Sequence, residues 1–236
     1  MLMAGNGIRF KNKGYTTPKA LLNYKGKYIF EASLEMFPDC DKWIFAVNKE
    51  IYESDEFNNF LKNFNQCYEV ILFDKTTNGQ ATTCRYCLEK LDDEDEFFVG
   101  SCDTILTKKI DRDKFLNFDT TVLTSIPTDL QLSNPVQYGW VVIEESKNYK
   151  IICKEELLPS KSSYEMILGF FYFSHKSDYQ KAYKTLIRNE IMVNNEFYID
   201  SLLQEQINDN LNLNTLSSGA IVLGTPEEYI EEIKKL

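Results

Sequence analysis

The residues able to carry chemistry crowd near one end of the chain. Residues 2–10 read Leu2-Met3-Ala4-Gly5-Asn6-Gly7-Ile8-Arg9-Phe10, and Gly14-Tyr15-Thr16-Thr17-Pro18-Lys19-Ala20-Leu21-Leu22 follows closely. A strand that feeds a turn through Gly5 and Gly7 lets backbone N–H groups point into one concavity, the arrangement that cradles a phosphate chain. Arg9 and Lys19 add fixed positive charge. A planar guanidinium fork suits two phosphate oxygens, and a compact ammonium can follow a phosphate whose geometry changes. Alone, the Gly-x-Gly pair also fits a turn that serves only the fold. Two rival phosphate motifs are excluded: the dinucleotide fingerprint needs a third glycine where Phe10 stands, and no Gly-Lys-Ser/Thr precedes a helix as a Walker A loop requires.

Such a loop needs a scaffold, and the apolar pattern supplies one. With 236 residues, 43% of them hydrophobic, the chain is expected to form one domain over residues 1–236. Met1 to Ala4, Trp43 to Val47, Tyr68 to Phe73 and Phe97 to Gly100 read as strands, with helical spacing at Ile29–Phe37 and Ile51–Phe64 between them. Met1 falls inside the first strand, so that strand is short or the natural start lies upstream. Strand, helix, strand at this rhythm predicts an α/β fold with a mixed, mainly parallel sheet flanked by helices. The second half, with strands at Thr121–Ser125, Trp140–Ile143, Tyr149–Cys153 and Ile167–Phe173, is expected to add an antiparallel element. Thr225-Pro226-Glu227-Glu228 announces a closing helix: a Thr cap, Pro at the first position and Glu three residues after the cap.

Composition narrows the partners. A formal charge of −10 repels nucleic-acid backbones and anionic membranes. No apolar run reaches the roughly 18 residues that span a bilayer and no signal-peptide layout opens the chain, so a cytoplasmic protein is expected. The six cysteines are expected as reduced, buried thiols, and Cys84-x-x-Cys87 as part of a core stripe with Ala81, Leu88 and Leu91 rather than a redox or zinc pair. His175, the one histidine, reads as an incidental strand-end residue, and Asp92 to Glu96 as a solvated turn.

Ala-Gly-x-Gly-x-Arg-Phe, then Gly-Tyr, then Pro-Lys-x-Leu resembles the signature of the sugar-phosphate nucleotidyltransferases. Downstream, Gly79-Gln80-Ala81-x-Thr83 resembles the family's nucleotide-contacting turn, and Cys102-Asp103 its strand-end metal carboxylate. Asn195-Glu196-Phe197-Tyr198-Ile199 and Gly224-Thr225-Pro226-Glu227 resemble the tail of a capsule-associated branch. The resemblance implies a Rossmann-like nucleotidyltransferase fold, a nucleoside triphosphate partner with CTP favoured, a small phosphorylated acceptor, and a divalent metal, normally magnesium. A homodimer is compatible with it.

By the same resemblance Met3, Ala4, Gly5, Asn6, Gly7, Gly79, Gln80 and Cys102 line the nucleotide, while Arg9 and Lys19 act on its phosphates. Asp103 binds the metal, and Lys154 and Gly169 meet the acceptor. The pattern departs at Val222, where many members carry a second metal-binding Asp; Glu196 is the substitute candidate. A Glu-Lys pair that elsewhere meets the acceptor is shifted to Lys154-Glu155-Glu156. Two other readings stay open: a nucleotide-sugar-dependent glycosyltransferase, which would also want an acid like Asp103, and a non-catalytic nucleotide sensor, which Val222 favours.

Overall fold

The computed structural model describes residues 1–143, 149–157 and 163–236. They form two compact units. The first comprises Met1–Thr77, Gly100–Asp111 and Ala220–Leu236; the second comprises Asn78–Val99 and Arg112–Gly219.

The first unit is built on a three-stranded parallel sheet in the order Leu2–Met3, Trp43–Asn48, Tyr68–Phe73. Leu2 aligns with Ala46 and Met3 with Val47, and a parallel bridge from Leu2 to Ser101 continues the pairing on the other side. The alternation across Trp43–Asn48 is weak because Trp43, Phe45, Ala46 and Val47 are all buried, as a strand covered on both faces requires. The helix read over Ile51–Phe64 is two helices, Lys49–Tyr52 and Asp55–Asn63. Ser54 divides them, its hydroxyl accepting from the Phe57 amide at 3.2 Å and so starting a new helix. Phe57 and Phe60 from the second helix pack edge-on against Phe30 and Phe45, with centroids 4.8–6.0 Å apart. Two short antiparallel pairs complete the unit: Asn23–Tyr24 with Lys27–Tyr28, and Thr104–Leu106 with Ala220–Val222.

The second unit carries the larger sheet, six strands in which Leu213–Ser217 pairs parallel with Thr120–Ser125 and the other pairings are antiparallel. The expected antiparallel element is thus the dominant part of this unit, and Phe97–Val99 belongs to it, pairing antiparallel with Ser163–Phe173. The parallel part of the mixed α/β architecture lies in the first unit. Helix Lys176–Arg188 buries Tyr179 and Leu186, and helix Ile199–Asn208 buries Leu202 and Leu203.

Local signals hold in several places. The closing helix spans Pro226–Ile233 with the Thr225–Glu228 capping box formed. All six cysteines are thiols, and Cys84 and Cys87 are buried in helix Gln80–Cys87. The expectation of burial fails at two: Cys67 is exposed and Cys40 half-buried, because both flank the strand Trp43–Asn48 and its neighbour rather than lying within a packed stripe. His175 stands at the start of helix Lys176–Arg188, and Asp92–Asp95 are exposed, but Glu96, read with them as solvated, is half-buried because it accepts from the Tyr172 hydroxyl at 2.7 Å and pairs with Arg112. Among the described residues no helix is long and apolar enough to cross a membrane.

Candidate nucleotide-phosphate site

The amino-terminal strand ends with its side chains sunk in the core: Met3 is 2% exposed and Ala4 is buried. The chain then turns through Gly5-Asn6-Gly7. Two amides hold this turn in place: Asn48 Nδ2, at the end of strand Trp43–Asn48, donates to the Gly5 carbonyl at 2.9 Å, and Asn6 Nδ2 donates to Thr76 Oγ1, in the loop after Tyr68–Phe73, at 2.6 Å. Gly7 takes a left-handed conformation, φ +60°, to start helix Ile8–Asn12, whose Phe10 and Lys11 amides bond to its carbonyl. A methyl group placed on Gly5 or Gly7 would meet no atom within 4 Å, so packing does not demand the lack of a side chain at Gly5. It keeps space open over the turn.

Phe10 fixes the direction of the short helix. It is buried in a cluster with Leu22, Tyr24, Ile29, Ile105 and Leu223. Its neighbour Arg9 is exposed. After Gly14, Pro18 leads into a single 3-10 turn, Lys19–Leu21, anchored by buried Ala20, Leu21 and Leu22. That anchoring leaves Lys19 the one polar side chain of the turn.

Lys19 reaches Asp103. The ammonium donates to Oδ2 of the carboxylate, and the Ser101 hydroxyl donates to Oδ1. Burial alone would raise the Asp103 pKa, but Lys19, Ser101 and the more distant charge of Arg9 outweigh it and hold the carboxyl below its usual range. Burial likewise pulls Lys19 down, and Asp103 more than reverses this, with Arg9 opposing. Lys19 and Asp103 therefore set each other's charge, and the guanidinium of Arg9 adds a smaller effect on both. Cys102, also within reach of the Lys19 charge, is buried, and burial pushes its thiol up to about 11. It carries no thiolate at neutral pH.

The strand after Asp103 explains the neighbourhood of Val222. Thr104 aligns with Val222, and the Leu223 amide donates to the Asp103 carbonyl at 2.8 Å. Gly224 follows, and a Cβ there would lie 3.3 Å from Asp103 Oδ2 and 3.7 Å from Glu228 Oε2. Glu228 is thus a carboxylate close to Asp103 that sequence reading identified only as a helix cap; Oε2 accepts from both the amide and the hydroxyl of Thr225 at 3.0 Å. Ser101 was missed as well, and its one signal was its place two residues before the acid.

Met3, Ala4, Gly5, Asn6, Gly7, Arg9, Lys19, Cys102 and Asp103 all lie in the first unit; Gly79, Gln80, Lys154, Gly169 and Glu196 lie in the second. Gly79, φ +105°, precedes helix Gln80–Cys87, and a Cβ on it would sit 2.5 Å from the Phe197 carbonyl oxygen and 2.6 Å from its nitrogen. The Phe197 amide donates to Asn78 O and the Ala81 amide to Phe197 O, so this glycine serves a close backbone crossing. Gly169, φ +76°, lies where the register of Ser163–Phe173 against Thr120–Ser125 shifts between Ile167 and Phe171, a bulge. Lys154 and Glu196 meet on one tyrosine: the ammonium lies 5.0 Å from the Tyr198 ring centroid, and the Tyr198 hydroxyl donates to Glu196. Lys154 Nζ also donates to the Gln137 carbonyl at 2.8 Å.

For a divalent metal, Asp103 has the right chemistry, a hard oxygen donor held ionised. Among the described residues no group of three or more His, Cys, Asp and Glu side chains forms a cage. Magnesium is held by one or two carboxylates together with water and substrate phosphates, so Asp103 is the residue of this unit that would hold it.

No protein-family model matches the chain, and no curated protein matches it significantly. Solved structures do. A nucleoside-diphosphate-sugar pyrophosphorylase from Vibrio cholerae aligns over 99% of this chain and 100% of its own, with TM-score 0.80 and 23% identity. The inositol-1-phosphate CTP transferase of T. maritima aligns over 99% and 93%, with TM-score 0.69 and 16% identity. The CTP:phosphocholine cytidylyltransferase of Streptococcus pneumoniae aligns over 99% and 96%, with TM-score 0.66 and 15% identity. The chain therefore has the fold on which these nucleotidyltransferase structures are built.

Proposed function

We propose that the chain is a nucleotidylyltransferase, a single domain over residues 1–236 that joins a nucleoside triphosphate to a small phosphorylated acceptor and releases pyrophosphate. The observation that carries this reading is the ion pair of Lys19 with Asp103, in the same compact unit as Arg9 and the open turn at Gly5–Gly7. The nucleotidyltransferase fold supports it independently.

The reaction is in-line attack of an acceptor phosphate oxygen on the α-phosphorus. That oxygen is already ionised near neutral pH, so no side-chain base is needed, and the protein must position two polyanions and neutralise them. The Gly5–Gly7 amides and Arg9 bind the phosphate chain, Met3, Ala4, Asn6 and Cys102 border it, and Lys19 follows the charge that develops at the α-phosphate. Asp103 would hold magnesium, which when bound supplies further neutralisation of phosphate charge. Gly79 and Gln80 as base contacts, Glu196 as second metal ligand, and Lys154 and Gly169 as acceptor contacts rest on the family resemblance.

CTP is the favoured nucleotide, as it is in the names of the T. maritima and S. pneumoniae proteins. The capsule-like tail motifs favour an acceptor destined for a bacterial surface polymer, L-glutamine phosphate among them, with sugar 1-phosphates and phosphocholine as the other candidates. A cytoplasmic location and a homodimer complete the proposal; light scattering measures the second. The test is a matrix of the four triphosphates against phosphorylated sugars, cholines and amino-acid derivatives, read as magnesium-dependent pyrophosphate release. Release with CTP and one acceptor supports the reading. Val222, aligned with Thr104 beside Asp103, favours a second one, a nucleotide sensor without turnover. Tight triphosphate binding with no pyrophosphate from any acceptor would establish it.

A further inference from the structure

The pairing of Lys19 with Asp103 bears on how a cation reaches this site, given the reading above in which Asp103 is the cation's ligand. Both oxygens of the carboxylate are committed to protein donors, Oδ2 to the Lys19 ammonium and Oδ1 to the Ser101 hydroxyl. The two charged side chains keep 23% and 17% of their surface exposed, so a small ion can approach them. Beside Oδ2 stands Gly224, which puts no side chain in the way.

An ammonium on Oδ2 occupies one of that oxygen's two lone pairs, and its positive charge repels a divalent cation at close range. A triphosphate changes the balance. It offers Lys19 other oxygens, it is drawn by Arg9, whose charge already opposes that of Lys19, and it brings phosphate ligands for the cation. We propose that Lys19 and a divalent cation are mutually exclusive occupants of Asp103, so that the protein takes up the cation together with the triphosphate and not before it. The linkage is reciprocal: whatever draws Lys19 off Asp103 tightens cation binding, and the cation in turn releases Lys19 toward phosphate.

Mn²⁺ serves as the probe, its free concentration read by electron paramagnetic resonance, with the full-length wild-type, Lys19→Met, Lys19→Gln and Lys19→Met/Asp103→Asn proteins, all without nucleotide. Wild type should bind Mn²⁺ weakly, and both Lys19 variants about tenfold tighter or more, within the 5- to 150-fold range of ordinary coupling. The double variant should lose the gain. Unchanged or weaker Mn²⁺ binding by both Lys19 variants overturns the exclusion while leaving Asp103 free to be a ligand in the ternary complex. Tight binding that survives in the double variant removes Asp103 as ligand and with it the reading beneath. A measurement on wild type alone guards against misfolded variants. Mn²⁺ without nucleotide should leave the melting temperature unmoved, and Mn²⁺ with CTP should raise it beyond CTP alone; an equal rise from Mn²⁺ by itself overturns the proposal.

Discussion

Lys19 and Asp103 set each other's protonation, and the consequence is a defined pH range of stabilisation. The folded carboxyl lies below its ordinary value, so its contribution is present above about pH 4 and is lost as pH falls through the folded value. The folded ammonium lies above its ordinary value, so its contribution is present below about pH 10 and is lost as pH rises through the folded one. Urea titrations should therefore show wild type more stable than Asp103→Asn at pH 7, with the gap closing toward pH 3. A gap that stays constant would remove the ion pair as its cause. Asp200 has the opposite sign. Burial raises it to about 6 despite the pull of Lys154, so the native state keeps that proton longer than the unfolded chain does. Its contribution falls between about pH 4 and pH 6 and then levels, a slope that Asp200→Asn should lack. For turnover, Lys19→Ala should lower kcat by on the order of a hundredfold, as loss of one donor worth about 3 kcal/mol to a transition state does. At this scale residue types were legible and partners were not. Asp103 was recognisable as an acid at a strand end, and Ser101 stood two residues before it without any mark of its role, whereas Glu228 comes near through a strand pairing between residues 104–106 and 220–222 that no local pattern reveals.

Elements were more legible than their purposes. Tyr68–Phe73 and Tyr149–Cys153 fold as the strands their apolar runs predict, and Thr225 caps the closing helix as its spacing requires. Thr225→Ala should cost about 1 kcal/mol in denaturant unfolding, the usual loss for a removed N-cap hydroxyl. The break at Ser54 was hidden because apolar residues at Ile51, Phe57, Phe60, Leu61 and Phe64 keep helical phase across it. Gly79 shows why a glycine is ambiguous in sequence: a turn that admits a ligand and one that admits another backbone use the same residue. Here the other backbone is Phe197, so Gly79→Ala should destabilise the fold by about 2 kcal/mol, from strain at positive φ and the clash combined. Calorimetry without nucleotide decides it; an unchanged melting temperature would mean that the crossing at Phe197 yields easily.

For the molecule as a whole, a charge of −10 with basic residues crowded between Arg9 and Lys27 predicts discrimination between a compact phosphate and an extended polyanion. A short DNA duplex should show no retardation in a gel at physiological salt, while CTP with magnesium should bind measurably; DNA binding of comparable strength would contradict the charge argument. The broad α/β class followed from local rhythm, but the division into units did not, since it depends on which distant segments pack together. The first unit closes with Leu223 buried against Phe10, Leu22 and Ile29, and with the Tyr229 hydroxyl on the Asn23 carbonyl. Those residues are synthesised only after all of 112–219. At about 5 to 20 residues per second, the amino-terminal end of a nascent chain waits roughly 5 to 20 s for its last wall. Through that interval Phe10 and its neighbours lack their final cover, which makes this corner the place where a chaperone would be most needed.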